Sequence, residues 1–287
     1  MLAALLLSGT LQGMPEAAEL ETLRTQIGPF LPARVLTVSI WGERTVRAHD
    51  PALMQNLTGS HLTHASRLGK WLFLHTDSTD PGSALLVVHL RMSGRLTISE
   101  PETPFEPHTH ASFTLLTPLG VRQLRFTDPR TFGEVRLAKS AESVAPGVPD
   151  VREALTLRDI PRSLTSSRRA IKTVLLEQSL LVQGVGNYLA DEVCHSAGVS
   201  PLRTCQMLTV PEWQRILQAL PVCFERFAVL RGVALEDEGW RDLFGVLGDG
   251  ASGLLVHARK ACGTCDGPVT RAEVTGRSAY HCPRCQK

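Results

Sequence analysis

Met14-Pro15-Glu16-Ala17-Ala18-Glu19-Leu20-Glu21-Thr22-Leu23-Arg24 reads as the beginning of a folded chain rather than its middle. A proline directly after methionine is a pair from which the initiator is readily removed, leaving a secondary amine. An α-amino group has a pKa of about 8, against about 10.4 for a lysine, so a usable fraction is unprotonated near neutrality. Glu16 stands next to it, and Glu19 and Glu21 follow at once. An amine nucleophile with an acid beside it is equipped to attack the anomeric carbon of a sugar and form a Schiff base. The competing reading is a plain helix start, with proline in the first turn and acids facing the positive end of the helix dipole. Upstream, residues 1–13 (MLAALLLSGTLQG) carry an apolar Leu2–Leu7 run. That run is too short to span a bilayer, and it lacks the positive flank of a signal peptide. The expectation is a mis-called extension, with Met14 as the true initiator; a retained extension would leave Pro15 an amide.

The chain of 287 residues is long enough for two domains, each with its own core. Apolar residues make up 43% and charged residues 20%, which fits an ordinary soluble protein. A net charge of +2 is too small to argue for a nucleic-acid partner by itself. Distribution says more. Arg162, Arg168, Arg169 and Lys172 fall in one stretch with no acid, and residues 257–287 hold six Lys/Arg against Asp266 and Glu273. Such clusters suit phosphate contacts, or simply a solvated face. Of seven cysteines, Cys194, Cys205 and Cys223 are scattered and read as small buried hydrophobes. With no secretory signal, the expected compartment is the reducing cytoplasm, and no membrane span is expected.

Leu20, Leu23 and Ile27 have helical spacing, closed by Gly28-Pro29. Strands are expected at Val35–Trp41, Trp71–Thr76, Ala84–Leu90, Arg95–Ser99, Ser112–Thr117, Val121–Phe126 and Glu134–Leu137, with Asp80-Pro81-Gly82 and Pro118-Leu119-Gly120 as turns. A β-sandwich or flattened barrel follows. Residues 141–150, rich in Pro, Gly and Ala, mark the expected domain boundary. Beyond it helices are expected at Val151–Leu157, Ser167–Glu177, Asn187–Ala197, Pro211–Leu230 and Leu235–Leu243, then a mobile glycine-rich loop at Leu247–Gly253. The fold class is therefore α+β.

Cys262-x2-Cys265-x16-Cys282-x2-Cys285 is the spacing of two zinc knuckles. Four thiolates close the coordination shell, so the implied cofactor is one structural zinc ion holding a β-hairpin too small to fold alone. Gly276-Arg277-Ser278 falls at the hairpin tip, where Arg277 offers a fork for phosphate. Gln183-Gly184-Val185-Gly186-Asn187-Tyr188 lies between helical stretches. Its glycines permit a sharp turn, and Asn187 would open a helix whose main-chain N–H groups bind phosphate; a helix cap alone also explains it. Asp128-Pro129-Arg130-Thr131-Phe132-Gly133 sets a cation beside an aromatic ring. That pair can wedge into a base stack, unless Phe132 is core and Arg130 is salt-bridged. Met92, in Leu90-Arg91-Met92-Ser93-Gly94, is a second wedge or another core residue, and Lys70 is most simply a surface lysine beginning a strand.

In order and spacing these five motifs resemble the bacterial formamidopyrimidine-DNA glycosylase and endonuclease VIII family, over nearly the whole chain from Met14. The resemblance implies a catalytic β-sandwich domain at 14–140, a helix-two-turn-helix DNA-binding domain at 151–253 and a zinc finger at 254–287, acting as a monomer on damaged double-stranded DNA. It implies that Pro15 is the nucleophile, Glu16 the acid that protonates the sugar ring oxygen, and Lys70 a cleft lysine that grips phosphate and assists elimination. Met92, Arg130 and Phe132 would fill the hole left by the flipped nucleotide, Asn187 and Arg277 would hold the flanking phosphates, and Lys172 would lie near the damaged base. The Pro-Glu-x-x-Glu-x-Glu-Thr opening and the Gly-Arg-Ser-x-x-x-Cys-Pro-Arg-Cys-Gln ending look closer to the oxidised-purine branch, with β,δ-elimination after base release. Ala18 departs from the second proline usual in that branch. Alternatives are an endonuclease VIII-like enzyme for oxidised pyrimidines, or a silent lesion binder if the extension is retained.

Overall fold

Short β-branched runs between turn residues fill residues 33–138, and in the computed structural model they form eight strands. These are β1 (Ala33–Ile40), β2 (His61–Leu68), β3 (Trp71–Thr76), β4 (Leu85–His89), β5 (Arg95–Ser99), β6 (Thr109–Thr117), β7 (Gly120–Thr127) and β8 (Glu134–Ala138). The structure describes residues 14–42, 44–45, 51–145, 147–235 and 239–287, so the expected leader at 1–13 lies outside the described residues. All neighbours pair antiparallel, in the order β5-β7-β6-β1-β2-β3-β4-β8. At the centre, β1 and β2 touch only through Ala33↔Leu62 and Arg34↔His61. Both strands are irregular beside that junction, between Val35 and Thr37 and between Leu62 and His64. Bulges sharpen twist and bend a sheet, and here the two halves close on one core. Leu96, Phe113 and Phe126 from one half meet Leu74, Val88 and Val135 from the other. The sandwich is one sheet folded over.

The helices are α1 (Ala17–Ile27), α2 (Pro51–Met54), α3 (Arg162–Thr165), α4 (Ile171–Leu176), α5 (Asn187–Ser196) and α6 (Val210–Val229). Helix α1 belongs to both domains. Leu20, Leu23 and Ile27 enter the sandwich core, while Ala17 and Ala18 pack with Leu189, Phe224 and the rest of the helical core. Small residues on one side let the turn before α5 approach closely, with Ala17 N donating to Gly184 O at 3.1 Å. At Gly184 (φ +106) an added Cβ would stand 2.8 Å from the Ala17 Cβ, so only glycine fits. Among the described residues no helix is long and apolar enough to cross a membrane.

Several elements differ from expectation. Strand β2 was not anticipated, the segment at 151–156 is a 3-10 helix, and α4 is shorter than the expected Ser167–Glu177. The expected helix at Leu235–Leu243 falls partly outside the described residues; from Gly239 to Leu243 the chain is a non-helical strap. Trp240 and Leu243 enter the sandwich core, and the Leu243 carbonyl accepts from Ile98 N of edge strand β5 at 2.9 Å. The glycine-rich 247–253 loop is stitched down rather than loose: Asp249 N donates to Leu230 O and Gly250 N to Gly232 O. Main-chain bonding to the turn after α6 overrides what the glycines alone suggest.

Candidate active site

Glu16 is the N-cap of α1 and is almost fully buried at the domain junction. Its carboxylate accepts from three main-chain N–H groups at the start of α5: Gly186 at 2.7 Å, Tyr188 at 3.0 Å and Leu189 at 3.3 Å. A Cβ at Gly186 would collide with that carboxyl, which explains the second glycine of the Gly-x-Gly-Asn turn. The expectation that these amides bind an external phosphate is corrected here: an internal carboxylate occupies them. Hydrogen bonds to a charged acceptor are worth about 1.5–3 kcal/mol each. Burial nevertheless wins, and with Glu19 adding negative charge and Lys70 opposing it, the Glu16 pKa is raised to about 8. Glu19 is also buried and accepts from Glu16 N, Val233 N and the Tyr188 hydroxyl. Burial raises its pKa as well.

Two adjoining cavities open over this acid. One, of about 400 Å³, is lined by Glu16, Met92, Asn187, Tyr188, His257 and Arg277 among others. The other, of about 90 Å³, is lined by Pro15, Met92, Arg95, Arg130, Trp240 and Arg241 among others. Met92 borders both. Thus Pro15, Glu16, Met92, Arg130, Asn187 and Arg277, far apart in sequence, face one cleft. Lys70 tips the β2–β3 hairpin, and burial lowers its pKa, with Glu16 raising it and Arg277 and Arg91 lowering it. That hairpin is locked by Asp150, which accepts from Gly69 N at 2.7 Å and twice from the buried Arg67 guanidinium. Asp150 ends the stretch expected to be a linker, and acts as a clasp.

Among the described residues the buried Asn187 Oδ1 has no hydrogen-bond partner. Arg277 begins β10 (Arg277–His281), which pairs with β9 (Thr270–Val274). Their two-residue turn, Thr275 (φ 49) and Gly276 (φ 74), has the left-handed pair a tight hairpin needs. Phe132 is 42% exposed, and the Arg130 guanidinium lies 4.8 Å from its ring centroid. Neither core packing nor, among the described residues, an ion pair explains this loop. Buried Asp128 holds it, accepting from Arg130 N, Gly133 N and Ser93 Oγ, the last on the Met92 loop.

Lys172 is a correction. It is fully buried behind the cleft, where its ammonium donates to Asp191 Oδ1 at 2.7 Å, Ser278 O at 2.6 Å and Asn187 O at 3.3 Å. It cannot meet a damaged base without breaking this pair; it braces the main chain at Asn187 and beside Arg277. Sequence reasoning missed its partner. Asp191 also takes His257 Nδ1 and Tyr280 N, and Glu192 accepts from the amides of Leu255, Val256 and His257. These two buried acids dock the finger on α5, and their adjacency within Asn187–Ser196 was the available signal.

The finger has a very small core built on Val256, Cys262 and Cys282. The sulfurs of Cys262, Cys265, Cys282 and Cys285 all lie within 4.8 Å of one another, with Cys265–Cys282 at 3.5 Å and Cys262–Cys285 at 3.9 Å. A tetrahedron with Zn–S bonds of about 2.3 Å has edges of about 3.8 Å, so the four thiols fit a zinc ion.

Comparison with known proteins agrees. The family model for the formamidopyrimidine-DNA glycosylase N-terminal domain matches residues 14–135, and that for the H2TH domain of the same enzymes matches residues 147–233. Relatives include the formamidopyrimidine-DNA glycosylases of Syntrophomonas wolfei, 34% identical over 96% of this chain and all of that protein, and of Moorella thermoacetica, 37% identical over 90% and 94%. Among solved structures, a Lactococcus lactis Fpg variant bound to Fapy-dG-containing DNA aligns with a TM-score of 0.81 at 25% identity, covering 95% of this chain and all of that one. The same protein bound to abasic-site DNA aligns with a TM-score of 0.79 at 24% identity, covering 95% and 99%. The chain thus shares an N-terminal domain and an H2TH domain with DNA glycosylases. This chain belongs to the formamidopyrimidine-DNA glycosylase family.

Proposed function

We propose that this protein is a bifunctional DNA glycosylase and abasic-site lyase that excises 8-oxoguanine and formamidopyrimidines from duplex DNA. The observation that carries the reading is the buried Glu16 carboxyl, held on the amides that open α5 and next in the chain to Pro15 on the cleft floor, where burial pushes its pKa up to about 8. Once the residues before it are removed, the Pro15 nitrogen attacks the anomeric carbon and the damaged base leaves. Glu16 gives its proton to the ring oxygen, opening the sugar to an iminium. The iminium acidifies the neighbouring sugar carbon, and loss of that proton expels the 3′ phosphate; loss of a second proton, from the sugar carbon that bears the 5′ carbon, then expels the 5′ phosphate. Hydrolysis of the iminium returns the amine.

Extrusion of the damaged nucleotide costs a few kcal/mol, and Met92, Arg130 and Phe132 offset it by filling the gap. Asn187 and Arg277 bind the flanking phosphates, and Lys70 grips a phosphate and takes part in elimination. The four thiols would hold one structural zinc, which keeps the Arg277 hairpin in shape. The protein works as a monomer in the reducing cytoplasm.

Borohydride trapping on abasic-site DNA, read by intact mass, tests the chemistry. The expected adduct joins DNA to a chain beginning at Pro15, and Pro15→Gly should abolish most base release. An active enzyme that still carries residues 1–14 would overturn the assignment. Faster release of thymine glycol than of 8-oxoguanine from matched duplexes would instead select the oxidised-pyrimidine branch.

A further inference from the structure

One histidine from the helical domain reaches into the cysteine cluster. His195 sits in the last turn of α5, is 7% exposed, and its Nε2 lies 3.3 Å from Cys262 Sγ. Cys262 otherwise accepts from Thr264 N at 3.4 Å, a donor within its own knuckle. The other ring nitrogen, Nδ1, is buried without a hydrogen-bond partner among the described residues. That decides the tautomer. A proton on Nδ1 would strand a buried donor, whereas a bare Nδ1 acceptor is the more tolerable orphan. The proton therefore belongs on Nε2, aimed at the sulfur.

We propose that His195 is a positioning residue for the metal centre: its Nε2–H donates to the Cys262 thiolate and thereby sets how tightly the finger retains zinc. The inference rests on the zinc reading above and adds a residue outside the four ligands. Four thiolates around one divalent ion leave a net charge of −2, and an N–H···S bond withdraws part of it from one sulfur. Outer donors of this kind typically govern metal affinity by about 10–100-fold. The bond also makes the centre part of the helical domain, since the helix that ends at His195 begins at the amides holding Glu16.

The test uses the full-length zinc-loaded protein. A chromogenic chelator should draw zinc from His195→Phe about tenfold more readily than from wild type, while His195→Gln, which restores an N–H donor, should behave like wild type. In the cobalt-substituted proteins the sulfur-to-metal absorption should shift for Phe and not for Gln. In wild-type protein loaded with spin-active cadmium, the imidazole N–H should show scalar coupling to the metal, a measurement that needs no variant. Equal zinc retention in all three proteins, or loss in the Gln variant equal to that in Phe, would overturn the proposal, as would an absent coupling. A wild-type protein that takes up neither zinc nor cobalt would sink the zinc reading itself, and with it the role of His195.

Discussion

Glu16 and Asp191 are both buried carboxylates held against α5, and they are held in opposite ways. Glu16, at the start of the helix, rests on three main-chain amides and, among the described residues, has no ion pair within hydrogen-bonding reach. Asp191, one turn further along, sits 2.7 Å from the buried Lys172 ammonium and 2.7 Å from His257. Taking a charge out of water costs several kcal/mol even after relaxation. At Asp191 an opposite charge repays that cost and the pair becomes a rivet between finger and helix. At Glu16 the cost is met only in part, and the remainder appears as a retained proton. A carboxyl whose charge is cancelled, as at Asp191, serves the fold; under the proposed function the uncancelled one at Glu16 keeps its proton for the sugar.

The sharpest way to break this contrast is Glu16→Gln. The amide can still accept from α5 but has no proton to give, so base release should fall on the order of 10²–10⁴-fold with the fold intact. The pH dependence carries a sign. The folded pKa of about 8 lies above the reference value of 4.5, so the folded state keeps a proton that the unfolded chain releases. Stability should therefore decline as pH rises from about 4.5 to about 8. Activity should fall above that upper limit. Denaturant midpoints across this window should lose part of that slope in Glu16→Gln, with the buried Glu19 keeping the rest; an unchanged slope would assign the titration elsewhere.

Next in size is Asp191→Ala, which leaves the Lys172 ammonium buried and unpaired. A loss of about 3–5 kcal/mol in unfolding free energy is expected. The double variant Asp191→Asn, Lys172→Met should recover much of it, because it removes the stranded charge along with its partner. If the double variant is no better than Asp191→Ala alone, the pair is not the rivet described here.

What the sequence made legible follows the same division. The cysteine knuckles, the start of α5 and the hairpin around Pro118-Leu119-Gly120 depend on neighbours a few residues away, and each has a local signature. Strand β2 does not. His61-Leu62-Thr63-His64-Ala65-Ser66-Arg67-Leu68 is polar and mostly half-exposed, and it becomes a strand by pairing with β3 across Ser66↔Phe73 and Ala65↔Leu74. The strap from Gly239 was hidden for a related reason. Its place is set by Ile98 N and by the Gln26 amide, which bonds Leu243 N and the Asp242 carboxylate. Lys172 was misassigned because a basic residue near a cleft motif carries no mark of its partners, Asp191 and Ser278.

The smallest effect on the fold belongs to Phe132, and that is its use. The loop bearing it is shaped by the Asp128 carboxylate through Arg130 N and Gly133 N, bonds that do not involve the ring. The ring itself is 42% exposed, with the Arg130 guanidinium 4.8 Å from its centroid. Phe132→Ala should therefore leave unfolding free energy within about 0.5 kcal/mol of wild type, unlike truncation of a core phenylalanine such as Phe126. Binding to lesion duplex should weaken about tenfold, the scale of one lost base–aromatic stack. The deficit should shrink when the lesion lies opposite a mismatch, where the stack is already loosened and less filling is needed. A variant that loses stability as Phe126→Ala would, or whose deficit ignores the opposite base, would return Phe132 to the core and leave the cleft without its wedge.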